Sequence, residues 1–282
     1  MKDKSEFPDI QFVRDLYFKH ITDLKKVRQS QHEMYRRYLD AINIINERFW
    51  LRIPLALFGK RYLRYLARLR PTYAVALLDP HFDDIEAELT YLLIRESKPN
   101  TIVEIGALGG WSTSWILSGL RDNRHGKLYS FDKADDSTKT LPPGLTENRW
   151  VFVLGDILKD EDSIPRNIDY LLVDANHTAD FARWYLEKIF PKVSHDSFIS
   201  VHDMFHASEP KAPFGEGVVI SAYLSLNNIP YLTSAPAKNK WVYDQIMKIK
   251  KELDIQENIT ESRINPAVFF NNEQTGRGSS NI

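Results

Sequence analysis

The sequence predicts an α/β protein, a Rossmann-like and mostly parallel sheet with helices on both faces, preceded by a helical region. Two observations predict it. The stretch from Thr101 to Asp132 reads as a β-branched strand, a glycine turn, a helix with apolar residues at helical spacing, and a second strand. Three later apolar runs, 150–154, 168–173 and 197–201, also end in polar residues, as buried parallel strands do at a ligand-binding edge.

The turn after the first strand differs from a dinucleotide-binding turn. Its glycines, Gly106, Gly109 and Gly110, read G-x-x-G-G, whereas the dinucleotide fingerprint is G-x-G-x-x-G. An acid, Glu104, lies inside the strand two residues before Gly106. Because a carboxylate so close to the turn would repel a pyrophosphate, the pattern favours a ligand with a cationic or hydroxyl-rich end.

Residues 103–112, VEIGALGGWS, resemble motif I of class I S-adenosylmethionine-dependent methyltransferases, and most closely the small-molecule O-methyltransferases related to catechol O-methyltransferase. The resemblance implies seven strands and S-adenosylmethionine as cofactor. It implies that the loop holds the methionine part and that Asp132 takes the two ribose hydroxyls. The cofactor-binding residues expected on this basis are Glu104, Gly106, Ala107, Leu108, Gly110, Ser112, Asp132, Lys133, Asp156, Ile157 and Asp174.

A second group of polar residues follows the strands predicted at 168–173 and 197–201. Asp174, His202 and Asp203 offer two carboxylates and an imidazole, a set that suits a divalent cation such as Mg²⁺. In the catechol-type family an acid and an Asp-Asn pair hold the metal, so His202-Asp203 departs from that pattern. The sequence therefore leaves open whether His202 binds a metal or accepts a proton.

His177 lies three residues after Asp174, where the catechol-type enzymes carry a lysine base. An imidazole is suited to accept a proton near neutral pH. The predicted catalytic residues are therefore His177 as first choice of base, His202 as second, and Asp174 beside them. Three more residues, His206, Phe214 and Glu216, are expected to face the acceptor.

Composition narrows the function further. The 282 residues carry a net charge of −1, which indicates no general attraction to nucleic acid, and the absence of cysteine excludes disulfides, thiolate metal sites and a cysteine nucleophile. The amino-terminal residues lack the apolar core of a signal peptide, and no run of about 18 apolar residues occurs. We expect a cytoplasmic protein, either free or peripheral to a membrane.

The chain divides by pattern into a helical region at 1–78, a methyltransferase domain at 79–272 and a disordered tail at 273–282. The helical region would serve as a lid, a dimer contact of a homo-oligomer, or a membrane-surface contact. Its residues 48–70 carry seven Arg or Lys residues, no acid and many large apolar side chains. Such a segment suits an anionic membrane surface, although a lid or dimer helix with partners elsewhere would have the same composition.

These observations predict an S-adenosylmethionine-dependent O-methyltransferase acting on a hydroxyl of a small-molecule or glycosylated acceptor, such as a sugar-containing natural product. Two alternatives stay open. One is an enzyme of the same fold that binds the cofactor but does other chemistry, such as a hydroxylase-like relative of the cephalosporin group. The other is a membrane-attached or scaffolding protein that uses the fold only for binding.

Overall fold

The structure, a computed structural model, describes residues 9–48, 59–210 and 215–272. The predicted tail at 273–282 lies outside the described residues, as do Phe214 and residues 49–58 of the basic segment. Within the described ranges, the elements follow one another as an α/β chain.

Among the described residues, seven strands form one sheet in the order β3-β2-β1-β4-β5-β7-β6. The pairs among the first five strands are parallel, whereas β7 runs antiparallel to both β5 and β6. The predicted seven-stranded, mostly parallel Rossmann-like sheet is therefore confirmed. The strands are β1 (Thr101–Ile105), β2 (Lys127–Asp132), β3 (Trp150–Leu154), β4 (Ile168–Val173), β5 (Val193–Val201), β6 (Tyr231–Leu232) and β7 (Val268–Asn271).

Helices precede the sheet and connect its strands. Two single-turn helices, Ser137–Thr140 and Pro143–Thr146, lie between β2 and β3. A 3₁₀ helix at Pro71–Leu77, which the sequence did not predict, follows α2. The helices are α1 (Ile10–Arg48), α2 (Gly59–Leu69), α3 (Asp84–Ser97), α4 (Trp111–Asn123), α5 (Ser137–Thr140), α6 (Pro143–Thr146), α7 (Ala179–Lys188), α8 (Glu216–Leu226) and α9 (Pro236–Glu252).

Both faces of the sheet are covered, which explains the uninterrupted apolar strands. Successive residues of β1 point to opposite faces: Ile102 belongs to the core on one side, and Val103 and Ile105 belong to the core on the other. Glu104 therefore shares the face of Ile102, which α4 covers. This alternation decides which polar residues of the strands can reach a ligand.

The first helix is part of the same core as the sheet. Phe12, Leu16 and Leu24 of α1 are buried in the apolar cluster that also contains residues of β1 and α4. Ion pairs within the buried interior add to this contact, because the Glu88 carboxylate of α3 accepts from Arg28 of α1 and from Lys250 of α9. Much of the predicted amino-terminal region is thus built into the domain.

The second helix lies beside the glycine loop. Arg64 of α2 forms a two-point ion pair with Asp136 just before α5, at nitrogen–oxygen distances of 2.7–3.0 Å. The chain then passes through the 3₁₀ helix and brings Pro80, His81 and Asp83 to the binding edge of the sheet. Across the described ranges, none of the helices combines the length and apolar character that a membrane span needs.

Candidate active site

A cavity of about 690 Å³ opens at the carboxyl ends of the central strands. Ligands of open α/β sheets bind at this edge. The lining is rich in acids and imidazoles. Ten of the residues predicted from the sequence to bind cofactor, metal or proton line it: Gly106, Leu108, Asp132, Lys133, Asp156, Ile157, Asp174, His177, His202 and Asp203.

The glycine loop after β1 shapes one wall of the cavity. Gly106 has a φ of +93°, and a Cβ there would lie 1.7 Å from the carbonyl oxygen of Asp174, so only glycine fits between the loop and β4. Asp132 sits against the loop at the end of β2, and its Oδ2 accepts hydrogen bonds from the amides of Ala107 at 3.0 Å and Leu108 at 2.7 Å. The predicted loop and strand-end acid are therefore in contact.

Asp156 and Lys133 form a second part of this wall. Lys133 Nζ lies 3.0 Å from Asp156 Oδ2, and the amide of Leu158 donates to Asp156 Oδ1 at 3.3 Å. The hydrogen bond from Lys133 lowers the pKa of Asp156. Asp156 is therefore an ionised acceptor at the edge of the cavity.

Glu104 does not reach the cavity, contrary to the expectation that it binds the cofactor. It is fully buried on the opposite side of β1 from Val103 and Ile105, and its carboxylate accepts from the hydroxyls of Ser112, Thr113 and Ser130 at 2.6–2.8 Å. Burial raises its pKa to about 7. Glu104 fastens β1 to α4 and β2 beneath the loop.

Three more predicted cofactor residues lie outside the cavity lining. The hydroxyl of Ser112 is donated to Glu104, and Gly110 is the residue that precedes α4, with a φ of +93°. Ala107 is buried, and its amide is donated to Asp132. These residues shape the loop rather than the surface that a ligand would touch.

His177 faces the cavity and is held by an acid behind it. Its Nδ1 lies 2.8 Å from Oε2 of Glu216, at the first position of α8. Because a carboxylate only accepts, Nδ1 carries the proton and Nε2 is left toward the cavity, 3.2 Å from Asp203 and 3.9 Å from Asp174. The hydrogen bond to Glu216, aided by the charges of Asp203 and Asp174, raises the pKa of His177 above its ordinary value although burial opposes this.

Glu216 itself is almost wholly buried, with 3% of its surface exposed. The sequence predicted that it faces the acceptor, but its pairing with His177 was missed. The two residues are 39 positions apart and meet because the turn after β4 lies against the start of α8, where Thr178 also bridges to Gly215. The signal in the sequence was an acid near a predicted helix start, directly after a loop.

His202 is a different kind of histidine. It is 3% exposed, and its Nε2 lies 2.8 Å from Glu86 of α3. Burial alone would lower its pKa, but Asp174 and Glu86 raise it well above its ordinary value. A raised pKa reduces the share of neutral imidazole that a base needs, and the role of His202 as second choice of base stays a prediction.

The predicted metal set is also altered by the structure. The donor atoms of Asp174, His177 and Asp203 all lie within 4.8 Å of one another, so His177 stands in the set where His202 was predicted. Nδ1 of His202 lies 3.2 Å from an oxygen of each aspartate but is aligned with neither for a hydrogen bond. His206 adds a contact of 2.9 Å to Asp203 and lines the cavity, as expected.

The remaining wall comes from residues that the sequence did not single out. Ser262, Ile264 and Pro266 lie on the irregular segment before β7 and line the cavity. Acids in and just before the first turn of α3 hold this segment: Asp83 accepts from the amide of Asn265 at 2.6 Å. Glu86, which also binds His202, accepts from the amide of Ala267 at 3.1 Å.

Comparison with known proteins assigns this part of the chain. A family model described as a methyltransferase domain matches residues 103–204, from within β1 to just beyond β5. The glycine loop, Asp132, Asp156 and Asp174 all lie within the matched range. The match agrees with the methyltransferase predicted from the glycine loop and Asp132.

Solved structures with similar folds include three bacterial proteins. The O-methyltransferase TomG from Streptomyces achromogenes, solved with SAM, is 18% identical, with a TM-score of 0.44, and the alignment covers 53% of this chain and 73% of that one. The O-methyltransferase from Bacillus cereus, solved with SAH, is 16% identical, with a TM-score of 0.45 and coverage of 61% of this chain and 83% of that one. Cofactor-bound Rv0187 from MTB is 13% identical, with a TM-score of 0.49 and coverage of 75% of this chain and 89% of that one. These likenesses are too distant to assign a substrate. No curated protein matches the chain.

Proposed function

We propose that this methyltransferase moves the methyl group of S-adenosylmethionine to a hydroxyl oxygen of a small-molecule or glycosylated acceptor. The observation that carries the proposal is the pairing of Glu216 with His177 at the cavity, on the same edge as Asp132. One side of the cavity thus offers an acid for ribose hydroxyls, and the other offers a proton acceptor. An oxygen acceptor requires such a group because its proton must leave as the new bond forms.

In the proposed reaction the acceptor oxygen attacks the methyl carbon, and the carbon–sulfur bond breaks with its electrons remaining on sulfur. The products are the methyl ether and S-adenosylhomocysteine. His177 Nε2 takes the hydroxyl proton, while Glu216 holds the ring with Nδ1 protonated. The protein's main contribution is alignment, because the sulfonium is already electrophilic.

The same residues fit a divalent cation. Asp174, Asp203 and His177 offer the carboxylate and imidazole donors, and their donor atoms all lie within 4.8 Å of one another. A cation held there would lower the pKa of a bound hydroxyl. His177 Nε2 cannot bind a cation and accept a proton at once, so dependence on metal decides between these two roles.

Calorimetric titration of S-adenosylmethionine tests the cofactor part. We expect micromolar binding that Asp132→Ala abolishes, because the ribose hydroxyls lose their acceptor. Asp180→Ala, which removes a carboxylate that is 96% exposed on α7, is the matched control and should bind normally. Normal binding by Asp132→Ala would contradict the assigned role of Asp132.

The acceptor part is tested by methylation of a panel of hydroxylated phenols and sugars, assayed with added Mg²⁺ and with EDTA. Product formed equally in both conditions assigns His177 as the base. Product formed only with metal assigns it as a ligand. Cofactor binding with no methylated product across the panel would favour the alternative of non-transfer chemistry.

A further inference from the structure

The outward face of α2 is cationic and apolar at once. Arg61, Tyr65, Arg68 and Leu69 are spaced i, i+4, i+7 and i+8, so they lie along one side of the helix. All four are exposed, with Tyr65 at 56% and Leu69 at 59%. We refer to these four residues and the adjoining, exposed Arg70 as the α2 face.

The other side of α2 is fully engaged with the protein. Leu66 and Ala67 are buried, Arg64 pairs with Asp136, and Lys60 Nζ lies 2.6 Å from Asp79. The helix is therefore fixed in orientation, and its α2 face points away from the domain. In the described parts of the chain, Arg61, Arg68 and Arg70 have no ion-pair partner.

The charge pattern of the α2 face selects the kind of partner. From Arg48 to Leu78 the sequence contains no acid, and among the described residues no acid forms an ion pair with Arg61, Arg68 or Arg70. A large exposed tyrosine and leucine between unpaired arginines match the headgroup region of an anionic bilayer, where rings and aliphatic chains enter the interface and cations meet lipid phosphates. A nucleic acid would use the cations but would leave Leu69 without a role.

The position of α2 connects this surface to the cavity. Lys60 in its first turn holds Asp79, and Asp79 Oδ1 lies 2.9 Å from Nε2 of the cavity-lining His81. We propose that the α2 face binds an anionic membrane surface and so places the cavity beside the bilayer. The proposal does not depend on which acceptor the enzyme methylates.

Co-sedimentation of the full chain with lipid vesicles tests this proposal. We expect binding to phosphatidylcholine vesicles that contain phosphatidylserine, little binding to phosphatidylcholine alone, and weaker binding as salt is raised. Arg61→Gln combined with Arg68→Gln should weaken binding about 25-fold, because each cation near such a surface contributes about fivefold. Tyr65→Ser combined with Leu69→Ser should weaken it while preserving its salt dependence.

The matched control is Lys127→Gln combined with Arg166→Gln. These cations are exposed at the opposite, amino-terminal edge of the sheet, where Lys127 begins β2 and Arg166 precedes β4. The control has the same net charge as the arginine variant and should bind vesicles like the unchanged chain. Equal weakening in both variants would reduce the effect to net charge and overturn the proposal.

Titration with S-adenosylmethionine in every variant checks that the fold is intact. It also distinguishes a failure of the membrane proposal from a failure of the proposed function. Normal cofactor binding with no vesicle binding at low salt overturns the membrane proposal alone. Self-association of the chain that the Tyr65 and Leu69 changes abolish, without vesicle binding, would assign the face to a second copy and equally overturn it.

Discussion

Glu216 has two opposite effects on His177 as a base. Glu216 fixes the ring with Nε2 toward the cavity, which favours proton transfer, and it raises the pKa, which lowers the neutral fraction available near pH 7. The active form of a base is the neutral imidazole. We therefore expect kcat/KM to fall as the pH drops through a pKa above 6.5.

Glu216→Gln should move this acidic limb to lower pH, because the carboxylate charge that raises the pKa of His177 is gone. The maximal rate should also fall, by about tenfold to a hundredfold, within the range of general base catalysis. The measurement is the pH profile of kcat/KM. Glu209→Gln, at a carboxylate that is 79% exposed and paired with Lys238, is the matched control. An acidic limb that stays in place would show that His177 is not the base.

The surroundings of two buried residues, Glu104 and His202, could not be predicted from the sequence. The pattern of β1 places Glu104 in a strand, but both faces of that strand are buried, so apolar periodicity does not tell which face meets the ligand. Its partners Ser112, Thr113 and Ser130 decide the question. The surroundings of His202 could not be predicted either, because Glu86, its hydrogen-bond partner, lies 116 positions earlier in the chain.

At the scale of elements, the glycine loop depends on contact with the chain that precedes α3. An ideal Cβ on Gly109 would lie 2.1 Å from the carbonyl oxygens of Leu77 and Leu78. Gly109 is not among the glycines with positive φ, so the obstacle is steric rather than conformational. The loop therefore fits closely against the segment that carries His81.

Gly109→Ala should destabilise the protein by about 1–3 kcal/mol, as overpacking usually does, and should weaken S-adenosylmethionine binding because the loop must move. Gly144→Ala is the control, because nothing lies within 4 Å of a Cβ there, and it should leave both properties almost unchanged. Thermal unfolding and calorimetry measure the two effects. Equal behaviour of the two variants would mean that the loop tolerates the displacement.

The central strands were predictable because each is a short apolar run with turn residues at its ends. The predicted and observed bounds of β3 and β4 coincide. The 3₁₀ helix at Pro71–Leu77 was missed, since its apolar residues follow no long helical period. β5 begins at Val193, four residues before the predicted start. The prediction began later because Ser194 to Asp196 lack the apolar character of a buried strand.

At the scale of the whole molecule, sequence predicted the methyltransferase domain but not how α1 joins it. That arrangement depends on contacts between residues far apart in the chain. Glu88 of α3 is completely buried and binds Arg28, Lys250 and the hydroxyl of Tyr17, which lies 2.7 Å away. One carboxylate thus joins α1, α3 and α9.

Glu88→Gln should lower the free energy of unfolding by about 3–5 kcal/mol, because the buried Arg28 and Lys250 lose the carboxylate that they share. Burial lowers the pKa of Lys250 to about 7, so Arg28 is the main cation left without its partner. Urea denaturation measures this change. Glu252→Gln is the matched control: it removes an ion pair with Arg14 that also links α9 to α1, but the two side chains are 50% and 36% exposed. Solvent screens exposed ion pairs, so this variant should unfold nearly like the unchanged protein. Equal, small losses would mean that apolar contacts alone hold α1 on the domain. An early transition in Glu88→Gln, followed by unfolding of the sheet at the original urea concentration, would show that α1 can detach while the domain stays folded.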